Sequence, residues 1–189
     1  MARIAVVVGS LRKESFNRRL ARAHVRLPAG EGHEFVFSEI GDLPLYDQDD
    51  DANQPPPTQR LKREIREADG VLFVTPEYNR SVPGVLKNAI DVGSRPYGQA
   101  IWSGKPAAVM STSMGVLGGF GANHHLRQML TFFDMPVLQQ PEAYVGSTHA
   151  LFDDAGKLAN EATEGFFTAF IEAFGRLVER NVPATALAA

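Results

Sequence analysis

The segment Gly9-Ser10-Leu11-Arg12-Lys13-Glu14-Ser15-Phe16-Asn17 has the residue types of an anion-binding turn. Hydroxyls at Ser10 and Ser15 and the amide of Asn17 offer hydrogen bonds, and Arg12 offers a charge-assisted one. Arg18, Arg19 and Arg22 add positive charge nearby. The spacing is not G-x-G-x-x-G of a dinucleotide fold, nor G-x-x-x-x-G-K-[ST] of a nucleoside triphosphate loop. A hydroxyl-rich loop with one arginine suits a terminal monophosphate. The same residues also read as a serine N-cap with solvated arginines.

Two further segments carry unusual chemistry. Thr75-Pro76-Glu77-Tyr78-Asn79-Arg80-Ser81-Val82-Pro83-Gly84 is stiffened by two prolines. It could present fixed backbone donors and acceptors to a flat ring edge, with Tyr78 as an apolar wall, or be a rigid turn whose Tyr78 only packs. Ser111–Gly121 holds Gly115, Gly118, Gly119 and Gly121, which allow close backbone approach to a ligand or positive φ. A flexible loop has the same composition.

These segments need elements to position them. Ile4–Val8 is a short, β-branched apolar run of the kind buried on both faces of a parallel sheet. Helical spacing follows at Phe16, Leu20, Ala23 and Leu27, ended by Pro28 and Gly30. Glu34–Ile40 reads as a strand, Gly41–Pro57 as a long proline-rich loop of functional or flexible character, and a helix resumes at Thr58. Strand Val71–Thr75, a helix from Pro83-Gly84 through Ile90, and strand Ala107–Thr112 come next. Leu126, Met129, Leu130 and Phe133 mark a helix, and Pro136–Gly146 holds a final strand, placed around Ala143–Val145. Phe167, Phe170, Ile171, Phe174 and Val178 mark the last amphipathic helix, before Pro183 and an alanine-rich tail.

Strand and helix therefore alternate about five times, the pattern of an α/β parallel sheet with helices on both faces. The expected order is flavodoxin-like, 2-1-3-4-5, with residues 1–189 forming a single domain. In such a sheet ligands bind beyond the carboxyl ends of the strands. The three distinctive segments all fall there, after strands 1, 3 and 4.

Composition limits the chemistry further. The 189 residues are 44% hydrophobic and 22% charged, as in ordinary globular chains. A net charge of −3 argues against a nucleic-acid coat. There is no cysteine, which excludes a disulfide framework, thiolate metal ligands and cysteine redox chemistry. Redox electrons would have to sit on a bound cofactor. No run approaches the roughly 18 apolar residues of a membrane span, and Gly9 interrupts the N-terminal run too early for a signal peptide. A cytoplasmic protein with no membrane partner is expected. No metal site is expected: the adjacent His124 and His125 diverge on a helix, and Asp47, Asp49, Asp50 and Asp51 read as a solvated loop. Trp102 reads as a packing or interface residue.

Taken together, the segments resemble the NADPH-dependent FMN reductase family, which includes quinone and chromate reductases and azoreductases. The matching pieces are GSLRKESFN (Gly9–Asn17), DLPLYDQD (Asp42–Asp49), TPEYNRSVPGVLKNAID (Thr75–Asp91), STSMGVLGG (Ser111–Gly119) and HLRQ (His125–Gln128). They follow the family's order, from Met1 to about Gly146. The resemblance implies a flavodoxin-like fold with non-covalent FMN. It implies phosphate contacts from Ser10, Arg12, Ser15 and Asn17, with Phe16 in the same loop. It places Pro76, Glu77, Tyr78 and Asn79 along the isoalloxazine ring, and Ser113, Gly115, Gly118 and Gly119 on its pyrimidine side.

NADPH or NADH would supply hydride, and a quinone, azo compound, free flavin or chromate would accept the electrons. No side chain has to act as nucleophile or general base, so no catalytic residue is assigned. A homodimer or homotetramer is implied, and Tyr46 could reach a neighbouring subunit's flavin. Two relatives carry an arginine and a tyrosine, thought to join subunits, where this chain has Gly121 and His124. The rival function is a flavodoxin-type electron carrier without its own turnover. Such carriers are usually strongly acidic, and here the loop holds Arg12 and Lys13.

Overall fold

The computed structural model describes residues 1–153 and 157–181, so Pro183 and the alanine-rich tail lie outside the described residues. Strands β1 (Ala2–Val8), β2 (His33–Ser38), β3 (Gly70–Thr75), β4 (Ala107–Thr112) and β5 (Ala143–Val145) form one sheet in the order β2-β1-β3-β4-β5. Every pairing is parallel, with Ile4 opposite both Phe35 and Gly70, Phe73 opposite Val109, and Met110 opposite Ala143. The helices are α1 (Phe16–Val25), α2 (Pro56–Glu67), α3 (Gly84–Gly93), α4 (Phe120–Phe132) and α5 (Glu161–Asn181).

The period-two alternation of strand side chains splits the core into two layers. Ala5, Val7, Val71, Phe73, Ala107 and Val109 face α2, α3 and α4, where they pack on Leu61, Ile65, Leu86, Ile90, Leu126 and Leu130. Ile4, Val6, Leu72, Val74, Ala108 and Met110 face α1 and α5, against Leu20, Ala21, Phe167, Phe170 and Phe174. Burial on both faces is why β1, β3 and β4 read as unbroken apolar runs. Trp102 is a packing residue: it is fully buried, donates from Nε1 to the Ile90 carbonyl at 3.0 Å, and lies 5.8 Å from the Phe73 ring.

Several expectations shift. The buried face of α1 is Asn17, Leu20, Ala21 and His24, while Phe16 stays half-buried at the rim and Leu27 lies beyond the helix end. Strand β2 stops at Ser38, and Ile40 enters the core from the following loop. Helix α2 begins at Pro56, since proline is tolerated in a first helical turn. Helix α4 begins at Phe120, so Gly121 is helical and no longer part of the glycine-rich loop.

The Gly41–Pro57 segment is held in place. Asn88 on α3 accepts from Tyr46 N at 2.9 Å and donates to the Pro44 carbonyl at 2.9 Å. The buried Lys62 ammonium donates to Gln54 Oε1 at 2.7 Å and to the Arg95 carbonyl. Asp47 Oδ1 accepts from Asp49 N at 3.0 Å, starting a short 3-10 turn at Gln48–Asp50. Among the described residues no helix is long and apolar enough to cross a membrane.

Candidate flavin site at the carboxyl edge of the sheet

The ends of β1, β3 and β4 open on a cleft of about 600 Å³ lined by Ser10, Arg12, Ser15, Phe16, Asn17, Pro76, Glu77, Tyr78, Thr112, Ser113 and Met114. The first loop leaves β1 at Gly9, whose N–H bonds the Val74 carbonyl at 2.9 Å. A β-carbon at Gly9 would stand 3.0 Å from Thr75 Oγ1 and 3.1 Å from Leu86, so a larger residue here would press on both side chains. Ser15 caps α1, its Oγ accepting from Arg18 N at 3.2 Å. The capping reading and the cleft-lining reading of this serine are therefore both realised.

The turn is equipped for an anion. Among the described residues the N–H groups of Ser15, Phe16 and Asn17 donate to no protein acceptor, at the positive end of the α1 dipole. Asn17 is 5% exposed, and its Oδ1 is buried without a hydrogen-bond partner. That oxygen only accepts, so the partner it calls for is a hydroxyl or N–H donor, such as a sugar hydroxyl next to the anion, while the amide Nδ2 can donate to the anion itself. Arg12 is exposed at the rim, its guanidinium 5.7 Å from the Phe16 ring centroid and in no ion pair among the described residues.

The second loop is a tight reversal. Tyr78 N bonds the Ser81 carbonyl at 2.9 Å, and Ser81 N bonds the Tyr78 carbonyl at 3.0 Å. The two central residues, Asn79 (φ 53°) and Arg80 (φ 68°), both take left-handed backbone, as a mirror-type two-residue turn requires. Arg80 in that conformation is strained. The turn places half-exposed Tyr78 at the mouth of the cleft and leaves Asn79 outside its lining. Glu77 faces the cleft but also caps α4, its Oε2 accepting from Ala122 N at 3.0 Å. A β-carbon at Gly121 would lie 3.0 Å from that carboxylate and 3.1 Å from the Arg80 carbonyl, so the tight seat of α4 on this loop explains glycine there.

The third loop contributes Thr112, Ser113 and Met114 to the lining, whereas Gly115, Gly118 and Gly119 stand outside it. Gly118 (φ 59°) lies against the β5 backbone, where a β-carbon would come 2.5 Å from the Tyr144 carbonyl carbon. Gly119 (φ 76°) forms the left-handed N-cap of α4. Their composition thus serves packing within the chain. Thr112 Oγ1 donates to the Val145 carbonyl at 2.8 Å and lies 2.6 Å from Thr148 Oγ1, while Thr148 Oγ1 donates to the Ser113 carbonyl at 2.6 Å. Sequence reasoning missed Thr112 and Met114, although the rule that ligands sit beyond strand ends points to both.

A buried polar group anchors the wall behind this loop. Asn123 Nδ2 donates to Ser111 Oγ at 3.1 Å and to the Ala143 carbonyl at 3.3 Å, and Asn123 Oδ1 accepts from Arg127 Nε at 2.8 Å. It ties α4 to β4 and β5 and gave no recognisable signal in the sequence. The two histidines diverge as expected: His124 Nε2 lies 2.9 Å from Tyr144 OH, and His125 Nδ1 lies 2.7 Å from Ser81 Oγ. Burial and neighbouring Glu142 push the Tyr144 phenol up to about 12, so it is protonated at neutral pH.

The residues present fit a flavin mononucleotide: an open phosphate cradle, an orphaned Asn17 oxygen, an aromatic rim and a polar Thr112–Ser113 wall. The fold and this site are those of a flavodoxin-like mononucleotide-binding protein. The model of the NADPH-dependent FMN reductase family matches residues 2–150, and the chain belongs to that family. It is an NAD(P)H-dependent oxidoreductase with FMN as its cofactor.

The chain is 61% identical over 179 residues to a quinone reductase of Pseudomonas putida, covering 94% of this chain and 95% of that one. It is 46% identical over 176 residues to a 2-hydroxy-1,4-benzoquinone reductase of Burkholderia sp, covering 93% and 96%. Among solved structures it is similar to FerB, a flavoenzyme NAD(P)H:(acceptor) oxidoreductase from Paracoccus denitrificans. That likeness has a TM-score of 0.90 at 43% identity, covering 96% of this chain and 99% of the other.

Proposed function

We propose that the chain, as a single FMN-binding domain, reduces quinones in the cytoplasm with hydride from NAD(P)H. The observation that carries the site assignment is the set of three N–H groups at the start of α1, of Ser15, Phe16 and Asn17, that donate to no protein acceptor among the described residues. Its relatives' acceptors support a quinone. Bound FMN supplies two-electron chemistry, so that NAD(P)H, a proton and a quinone give NAD(P)+ and a hydroquinone. The chain's residues bind and orient. Ser10, Ser15, Asn17 and the free N–H groups hold the phosphate, with Arg12 adding charge. Phe16, Pro76 and Tyr78 form apolar walls for a flat ring, and Ser113 offers polar atoms to its edge, backed by the internally bonded Thr112. The backbone of Glu77 remains available to the ring, while its carboxylate serves α4.

Assembly as a homodimer or homotetramer belongs to this reading. Tyr97 and Phe132, 91% and 85% exposed beside one groove, offer an apolar surface to a second copy and support this reading. Sedimentation would test it.

The decisive experiment purifies the protein with FMN, records its visible spectrum, and follows NADPH oxidation with benzoquinone, an azo dye or free FMN. A yellow protein that turns over continuously with benzoquinone is expected. A yellow protein reduced once and then inert would be an electron carrier, and a colourless one that takes up no FMN would sink the assignment.

A further inference from the structure

A second concave site runs along the outer face of α1. It is a groove of about 730 Å³ lined by Lys13, Glu14, Ser15, Arg18, Arg19, Arg22, Ala23 and Arg26. In a chain of net charge −3, it gathers five cations around one carboxylate. Helical spacing creates the stripe, since residues 15, 19, 22 and 26 follow one another at three- and four-residue steps. No acidic residue occupies the first turn of α1, so Arg18 and Arg19 sit at the end of the helix where the dipole disfavours cations.

Neutralisation within the chain is incomplete. Arg18 is spent on Glu39, with contacts of 2.6 and 2.9 Å. Lys13, Arg19, Arg22 and Arg26 form no ion pair among the described residues. Arg19 is instead laid over the Phe152 ring, 4.5 Å from its centroid, which fixes the guanidinium without cancelling its charge. An uncancelled, pre-positioned guanidinium is suited to a phosphate dianion.

The groove adjoins the flavin cleft. Ser15 lines both, and Arg19 and Arg22 lie roughly 6 and 10 Å from it along the helix axis. A dinucleotide with its nicotinamide against the flavin ring can run outward past the flavin phosphate at Ser15 and set its adenosine end on this stripe. We propose that Arg19 and Arg22 bind the 2′-phosphate of NADPH and make the enzyme prefer NADPH to NADH. The proposal rests on the flavoenzyme reading and adds the donor's place in it.

Calorimetric titration of 2′,5′-ADP and of 5′-ADP into the FMN-loaded protein tests it without turnover. The unaltered protein is expected to bind 2′,5′-ADP about tenfold more tightly, the strength of one or two charge-assisted hydrogen bonds. The double variant Arg19→Gln/Arg22→Gln, with FMN content checked by absorbance, is expected to bind both about equally. Its KM for NADPH should rise about tenfold, while KM for NADH and kcat stay unchanged. Equal affinity of the unaltered protein for the two nucleotides would mean a surface without 2′-phosphate selectivity and would overturn the proposal. So would a folded variant that keeps the discrimination. If the double variant does not fold, the comparison of nucleotides on the unaltered protein decides, with Arg22→Gln alone as the second variant. Discrimination without any NADPH oxidation would sink the enzyme reading and leave the groove assignment; turnover with no nucleotide discrimination would sink the groove alone.

Discussion

Acid should destabilise this protein through His24, and replacing that residue should remove much of the effect. His24 lies on the inner face of α1, 1% exposed, with Phe167 and Phe170 edge-on at 5.5 and 5.4 Å. Neither ring nitrogen has a hydrogen-bond partner among the described residues. Burial holds the imidazole pKa down at about 4 against an ordinary 6.5. Between those values the unfolded chain binds a proton that the folded chain refuses. Stability therefore falls as pH drops from about 6.5 to about 4, and this contribution levels off below. At about 1.4 kcal/mol per unit, the gap is worth about 3 kcal/mol.

The perturbation is His24→Leu, similar in size and free of polar atoms. Urea unfolding at pH 7 and pH 4, followed by far-ultraviolet circular dichroism, gives the free energies. Carboxylates titrate in both proteins, so the difference between the two pH-dependent losses isolates His24. The leucine protein should lose about 3 kcal/mol less than the parent. At pH 7 it should be at least as stable, because two unpaired ring nitrogens leave an apolar contact. Equal losses in the two proteins would refute the reasoning and mean that the folded chain protonates His24 without penalty.

Gly118→Ala should destabilise the fold by about 3 kcal/mol, or roughly 10 °C in Tm, by combining a left-handed backbone with a clash against β5. Gly115→Ala is its control, because only Ser113 Oγ at 3.9 Å lies near and Tm should barely move. Asn123→Leu should cost about 3 kcal/mol in chemical unfolding, since it strips partners from Arg127 and Ser111 in the interior. Arg12→Ala and Asn17→Ala should each weaken FMN binding about tenfold in a fluorescence titration, with the circular dichroism spectrum intact. Unchanged affinity in the first would make Arg12 a solvated surface charge.

Much of the fold was legible because its signals are local. Ala107–Thr112 was located to the residue, and the last strand was placed within Pro136–Gly146 around the Ala143–Val145 where it lies, since apolar runs bounded by Pro106 and Gly146 leave little freedom. Alternation implied a parallel sheet, and five strands in one domain pointed to the flavodoxin-like order that the sheet has. Element starts that depend on distant partners were less legible. Helix α4 begins six residues before its first marked apolar position because Glu77, 45 residues away, bonds its first turn. The Gly41–Pro57 segment looked like a long open loop, but Asn88 and Lys62 fasten it from two helices.

The sequence by itself determined the residue types at the Gly9–Asn17 turn, and these suit a phosphate-type ligand. Hydroxyls, an amide and a guanidinium between a buried strand and a helix start suit a phosphate wherever the rest of the chain lies. Only the tertiary structure decided how the other glycines and carboxylates are used. Gly118, Gly119 and Glu77 turn toward β5, β4 and α4, and the cleft wall passes to Thr112 and Met114. The physical reason is that composition states what a backbone is permitted to do. Whether a freed φ or a carboxylate serves a ligand or a neighbouring strand depends on which surface folding brings within about 3 Å of it.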